Sequence, residues 1–287
     1  MSSDVPVGRI DDARAAELFG GGTRAPRRLG PLARCRQLLV AWWIQLKMLA
    51  VDPFTGLLQV VWPLFFATAA FLVYRQTGDP ASLVYAALGA GVMGTWSAVA
   101  TTASSALQRE RWLGTLELVV STPTPFAYVL LPITTAMASL GTYSLVATLL
   151  WGRLAFGVRL EIADPVVFVV GVVATILAVS MFGFLLAVTV VRYRSAWALG
   201  NLLEYPGWLV CGFLVPLSIL PAWVGWIGRA LPPTWGMAAI RAAADGGSPW
   251  RDVLLCLGLG AVYAVIASVV AGSVLRSARR HATLSLT

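Results

Sequence analysis

The chain has 287 residues, of which 58% are hydrophobic and only 12% are charged, about half the charged fraction of a typical soluble domain. Several apolar runs reach about 20 residues or more, the length that a helix needs to cross a bilayer. This composition excludes a soluble globular protein and predicts an all-α polytopic membrane protein. The net charge of +8 comes mostly from basic residues that are predicted on the cytosolic side, where they attract anionic lipid. It does not indicate nucleic-acid binding.

The residue inventory also excludes several kinds of chemistry. The single lysine, Lys47, follows no glycine-rich loop, so the chain has no standard ATP-binding P-loop. The single histidine, His281, leaves no histidine-based catalytic or zinc site. The three cysteines follow no metal-binding or redox spacing: Cys35, Cys211 and Cys256. We therefore expect no catalytic, cofactor or metal site in this chain, and no enzyme activity of its own.

The first 52 residues are predicted to stay outside the membrane core. Residues 1–30 mix acidic and basic side chains with Gly20–Gly22 and Pro26, which is typical of a flexible cytosolic tail and not of a signal peptide. Residues 31–52 predict an amphipathic interfacial helix, with its apolar stripe formed by Leu38, Leu39, Trp42, Leu46 and Leu49. The alternative is an N-terminal extension of the first span.

Six transmembrane helices are predicted within residues 53–276. They lie near residues 54–74, 83–106, 126–151, 165–191, 196–217 and 253–275. With the N-terminus inside, 15 of the 21 Lys and Arg residues fall on the cytosolic side and 6 on the outer side. The positive-inside rule then places both termini in the cytosol, including the basic tail at residues 277–287.

The segment at about residues 218–250 is too apolar for a water-exposed loop and too rich in proline for one spanning helix. The prolines that interrupt it are Pro221, Pro232 and Pro233, and its tryptophans include Trp223, Trp226 and Trp235. Tryptophan favours the headgroup level of a bilayer. The pattern predicts short re-entrant or interfacial helices on the outer side, in preference to a seventh span or a surface loop.

A short charged segment at about residues 108–122 separates the second and third spans. It is long enough for about three helical turns, and Glu110, Gly114 and Glu117 share one face of such a helix. Thr122 and Pro123 then end the helix. The segment is either a lever that docks on a cytosolic partner or a solvated turn whose charges set the topology.

These motifs resemble those of ABC-2 family permeases, the membrane subunits of type V exporter-like ABC transporters. The resemblance lies in Glu110-Arg111-x-x-Gly114-Thr115-Leu116-Glu117 with its Thr122-Pro123, and in Leu231–Trp235 followed by Ala239-Ile240-Arg241. It implies two separate ATP-binding subunits, which hold ATP and Mg, and a second permease subunit that forms a homodimer or a heterodimer. It also implies a coupling helix for the ATPase, with the candidate residues Arg109, Glu110, Arg111, Gly114, Thr115, Leu116, Glu117, Thr122 and Pro123.

In similar exporters the second and fifth spans line the translocation path. The matching candidates here are Thr95, Trp96, Thr102, Asn201, Glu204 and Trp208. A charged group at the centre of a spanning helix costs roughly 2.5–3.5 kcal/mol on insertion scales, so Glu204 should face protein or water. The alternative for Glu204 is a structural pair with Asn201, Tyr205 or Arg192, and helix packing alone explains most of the hydroxyl residues.

The sequence thus predicts the permease subunit of an ATP-driven exporter in a bacterial inner membrane. Its cargo is expected to be an amphipathic or lipophilic molecule, such as a drug, an antibiotic or a lipid-linked saccharide. The alternative is a secondary transporter or an intramembrane enzyme that works without an ATPase partner.

Overall fold

A computed structural model of the chain describes residues 30–51, 53–76, 80–102, 127–158, 161–192 and 197–281. All regular secondary structure in these ranges is helical. The α-helices are α1 (Pro31–Val51), α2 (Pro53–Arg75), α3 (Pro80–Ser97), α4 (Ala127–Phe156), α5 (Pro165–Arg192), α6 (Trp197–Val210), α7 (Ala222–Arg229), α8 (Pro232–Ala244) and α9 (Trp250–His281). A π-helical turn, Ala98–Thr102, continues α3, and a short 3-10 helix, Leu217–Ile219, precedes α7.

Four of the described helical stretches are long and apolar enough to cross a membrane. They are Ala81–Thr101, Ala127–Phe156, Pro165–Thr189 and Trp250–Ser273, and they correspond to the predicted second, third, fourth and sixth spans. α2 contributes a shorter apolar stretch, Val60–Arg75. The all-helical membrane fold is therefore confirmed, whereas the total of six spans stays a prediction.

Helix α3 lies at the centre of the packing. Every residue from Ala86 to Trp96 is buried, and α3 is packed against α2, α4, α6 and α8. Small residues allow the close approach: a Cβ atom at Gly91 would lie 2.4 Å from the side chain of Leu145 on α4. A Cβ atom at Gly141 on α4 would in turn lie 2.2 Å from the Thr95 hydroxyl group. Small-residue contacts of this kind let membrane helices gain van der Waals contact where no hydrophobic effect drives them together.

A second pair of long helices completes the bundle. α5 packs along α9, and α8 packs against both of them. The N-terminus of α5 is capped by Asp164, whose Oδ1 accepts hydrogen bonds from the N–H groups of Val166 and Val167, both at 3.1 Å. This cap satisfies two of the N–H groups that a helix leaves unpaired at its start.

The predicted fifth span, residues 196–217, is wrong beyond Val210. α6 ends at Val210, and Gly212 follows with φ +72°, the left-handed conformation that ends many helices and favours glycine. A helix of 14 residues covers only about 21 Å at 1.5 Å per residue. Hydropathy misplaced the end because Phe213, Leu214 and Val215 are as apolar as the helix before them.

Residues 218–250 include two short helices, α7 and α8, as the prolines predict. Leu231 is extended before Pro232, and Pro232 and Pro233 occupy the first turn of α8, where no N–H donor is needed. The Thr234 hydroxyl donates to the Gly228 carbonyl at 2.6 Å and the Trp235 indole to the Arg229 carbonyl at 2.8 Å. These bonds fix the turn between the two helices, while their position relative to the bilayer remains a prediction.

The predicted N-terminal helix is present as α1. Its half-buried positions from Leu38 onward recur at helical spacing and include Trp42, Leu46 and Leu49, whereas Leu39 is exposed. The Trp42 indole donates to the Ser139 hydroxyl on α4 at 3.2 Å. Four of the five residues of the predicted stripe therefore turn toward protein, and the interfacial role of the helix stays a prediction.

Candidate functional site

Two tryptophans cross-link α3 and α6 in opposite directions. The Trp96 indole on α3 donates to the Glu204 main-chain carbonyl on α6 at 3.2 Å. The Trp208 indole on α6 donates to the Ser97 hydroxyl on α3 at 3.0 Å. Each such bond contributes about 0.5–1.5 kcal/mol net. We call these four residues the indole clasp.

Gly207 on α6 leaves room for the Trp96 indole of the clasp. A Cβ atom at Gly207 would lie 2.4 Å from Nε1 of Trp96, so only glycine at this position lets the indole lie on the α6 backbone. On its other side the Trp96 ring stacks on Phe182 of α5, with centroids 5.3 Å apart. Trp96 is fully buried, and it therefore joins three helices.

The clasp lies where α3 changes its helical form. Ser97 is the last α-helical residue, and the π-helical turn Ala98–Thr102 begins immediately after it and contacts α6. Single π-turns inside helices occur frequently at functional sites. The side chain of Ser97 thus holds Trp208 at a point where the α3 backbone departs from regular geometry.

Glu204 contributes its main-chain carbonyl to the clasp, and the residue is half-buried. Its carboxyl group lies near the Ser97 hydroxyl, and no described basic side chain forms an ion pair with it. The Arg192 side chain, one structural partner considered for Glu204, lies outside the described side chains. Asn201, one turn earlier on α6, is exposed, and so is Tyr205.

The structure separates the six predicted path residues into three groups. Asn201, Glu204 and Trp208 lie on α6 with surface that is at least partly accessible. Thr95 and Trp96 are buried, Thr95 against Gly141 of α4, so their surroundings in this conformation are other helices. The side chain of Thr102 lies outside the described residues. Ser97, which accepts the Trp208 indole N–H in the clasp, was not among the predicted path residues.

A second cluster caps the broken end of α6. The Arg241 guanidinium on α8 donates to the carbonyls of Gly212 at 3.0 Å and Phe213 at 2.8 Å. The Tyr85 hydroxyl on α3 donates to the same Gly212 carbonyl at 2.9 Å, and the Tyr74 hydroxyl on α2 donates to the Leu214 carbonyl at 2.8 Å. We call Tyr74, Tyr85 and Arg241 the carbonyl cap.

The carbonyl cap supplies hydrogen-bond donors to backbone carbonyls that lipid cannot satisfy. Backbone that leaves a helix at membrane depth is tolerated only where protein or water satisfies its polar groups. A cation at a helix C-terminus is also favoured by the helix dipole. Arg241 supplies both the hydrogen-bond donors and the positive charge. Its guanidinium carbon lies 3.2 Å from the centroid of the Tyr85 ring, a cation–π contact.

Close backbone packing surrounds the cap. A Cβ atom at Gly89 of α3 would lie 1.7 Å from the Phe213 carbonyl oxygen, and one at Gly228 of α7 would lie 2.2 Å from the Val210 carbonyl oxygen. A cavity of about 250 Å³ lies next to the cap, and Arg229 and Trp235 also line it. The end of α6 is therefore fixed to α2, α3, α7 and α8 together.

The predicted coupling residues, from Arg109 to Pro123, lie outside the described residues. Their role as a coupling helix stays a prediction from the sequence.

Comparison with known proteins identifies the family. No curated protein sequence matches the chain. A family model described as ABC-2 type transporter matches residues 36–244, a range that includes the indole clasp, the carbonyl cap and the charged segment between the second and third predicted spans. The chain is therefore a multi-pass membrane permease component that belongs to the ABC-2 type transporter family.

Proposed function

We propose that the chain is the permease subunit of an ATP-driven exporter and moves an amphipathic or lipophilic substrate outward by alternating access. The observation that carries the proposal is the family match along residues 36–244 in a chain that has no P-loop of its own. Permeases of this family generally work with ATP-binding subunits. The energy source is therefore expected on a separate subunit, which also holds ATP and Mg.

The proposed assembly contains two ATP-binding subunits and a second permease subunit, identical or related. The chain lies in a bacterial inner membrane with both termini in the cytosol, which agrees with the 15-to-6 distribution of its basic residues. In this arrangement the segment at residues 108–122 faces the cytosol. Its Glu110, Gly114 and Glu117 then form the docking face for the ATP-binding subunit.

Glu204 supports a substrate path along α6. A half-buried carboxyl group without a basic partner among the described side chains is costly against lipid. The exposed part of α6 should therefore meet water or a partner subunit, which is what a path between two permease subunits provides. Tyr205 and Trp208 give the same face an apolar, aromatic character suited to a lipophilic cargo.

The movement that opens the outer side is expected to involve α7, α8 and the carbonyl cap. Because Arg241 joins α8 to the end of α6 and to Tyr85 on α3, a shift of either helix changes the position of the other. Displacement of α3 and α6 by the cytosolic partner would thus reach the outer segment directly. Lever-like transmission of this kind needs no chemistry in the chain itself.

Co-purification tests the partner. When the full chain is extracted with a mild detergent from its native host and purified by a C-terminal tag, a P-loop ATPase subunit should be recovered in a stoichiometric amount. The purified complex should hydrolyse ATP, whereas the chain alone should not. Recovery of the folded chain without any ATPase, under conditions in which substrate transport persists, would favour a secondary transporter.

A further inference from the structure

The carboxyl group of Glu204 has an unusual set of neighbours. The neutral Ser97 hydroxyl lies near it, and no described cation offsets its charge. The same hydroxyl accepts the indole N–H of Trp208 at 3.0 Å. Glu204 and Trp208 are one helical turn apart on α6, so the carboxyl group and the indole ring share a face, and both residues remain partly accessible.

Aromatic rings extend from this point along α6 and α2. The Trp208 ring lies 4.9 Å from Tyr205 and 4.7 Å from Phe66 between centroids, both edge to face. Trp62 stacks on Phe66 at 6.2 Å. Tyr205 is 60% exposed and Trp62 is 54% exposed, so the row presents ring surface next to a carboxyl group.

We propose that Glu204 and this aromatic row bind the substrate, and that the substrate is a lipophilic organic cation. The inference rests on the proposed function, because it names the substrate class of the α6 path. Ring faces attract cations, most strongly when water is excluded, and the carboxylate attracts the same charge. The two attractions act together only on a ligand that carries a positive charge inside an apolar shell.

Other ligand classes fit these residues less well. A bare metal cation needs several oxygen ligands, whereas Glu204 is the single carboxyl group that the described residues place beside the aromatic row. An anion would meet repulsion from Glu204.

Two probes of nearly equal size and opposite charge test the charge preference. Tetraphenylphosphonium and tetraphenylborate are titrated into the purified full-length complex with its ATP-binding subunit, and binding is followed by quenching of tryptophan fluorescence. We expect tetraphenylphosphonium to bind at least tenfold more tightly than tetraphenylborate, after subtraction of partition into empty micelles. Equal binding of the two probes, or tighter binding of tetraphenylborate, overturns the inference without any variant.

Variants locate the site. Glu204→Gln should weaken tetraphenylphosphonium binding at least tenfold, Glu204→Asp should restore most of it, and Trp208→Leu should weaken it more than Trp208→Phe. The matched control is Glu161→Gln, which neutralises an exposed carboxylate away from the row and should leave binding unchanged. Unchanged affinity in Glu204→Gln, as expected if a basic side chain already pairs with Glu204, overturns the inference.

ATP-driven uptake of the two probes distinguishes failure of the cation inference from failure of the proposed exporter. If ATP drives uptake of tetraphenylborate but not of tetraphenylphosphonium, the exporter stands and the cation inference fails. If tetraphenylphosphonium binds in a Glu204-dependent manner but ATP moves neither probe, the binding inference stands and the ATP-driven exporter fails.

Discussion

Replacing Arg241 with methionine is expected to lower the free energy of unfolding by about 2–4 kcal/mol. Among the described side chains, Arg241 donates to the Phe213 carbonyl, and leaving a buried carbonyl without a donor costs about 1–3 kcal/mol. The Gly212 carbonyl keeps the Tyr85 hydroxyl but loses a charged donor. The aliphatic stem of methionine retains much of the packing volume, so the loss reports the guanidinium group.

Denaturant unfolding in detergent micelles, followed by tryptophan fluorescence, measures the effect. Arg229→Met is the matched control, because Arg229 borders the same cavity but is exposed. It should change the free energy of unfolding by about 0.5 kcal/mol or less. Arg241→Lys should fall between wild type and Arg241→Met, since one ammonium group lacks the planar fork that spans two carbonyls. Equal unfolding midpoints for Arg241→Met and Arg229→Met would refute the role of Arg241 in the cap.

Reversing the charge of Glu110 or Glu117 is expected to uncouple transport from ATP hydrolysis. Both residues lie on the proposed docking face of the segment at residues 108–122. Like charges placed opposite each other in an interface cost several kcal/mol, and each 1.4 kcal/mol is a factor of ten in affinity. Glu110→Lys and Glu117→Lys should therefore lower transport and substrate-stimulated ATPase activity at least tenfold, while insertion into the membrane stays normal.

Glu161→Lys is the control for these variants. Glu161 is exposed and falls in the predicted outer loop before α5, so the same change of charge should leave coupling intact. ATPase rates in reconstituted vesicles, with and without substrate, provide the measurement. Wild-type stimulation in both Glu110→Lys and Glu117→Lys would show that residues 108–122 do not transmit the energy of ATP hydrolysis.

The bounds of the long helices could be predicted closely from the sequence, because a helix that crosses a bilayer needs about 20 consecutive apolar residues. The fourth predicted span, residues 165–191, matches α5 (Pro165–Arg192) to within one residue, and the third ends five residues before Phe156. The end of α6 was missed because apolar residues continue beyond Val210. Gly212 and Pro216 carried the available signal, since glycine ends many helices and proline often follows.

The site contacts could not be predicted because they join residues far apart in the chain. Trp96 bonds to a residue 108 positions away, and Tyr85 to one 127 positions away. Arg241 was noticed as part of a sequence motif, but nothing in the motif indicates that it caps α6. Glu204 was found because an acidic residue within an apolar run is costly wherever it lies, whereas the role of Ser97 depends on the crossing of two helices.

ATP-dependent uptake into inside-out vesicles tests the central proposal most directly. The full chain is reconstituted with its ATP-binding subunit, and accumulation of lipophilic probes is measured with no ion gradient present. We predict accumulation with ATP and none with a non-hydrolysable analogue, or when the P-loop lysine of the ATP-binding subunit is replaced. Accumulation that proceeds without ATP and follows an imposed proton or sodium gradient would contradict an ATP-driven exporter and identify a secondary transporter instead.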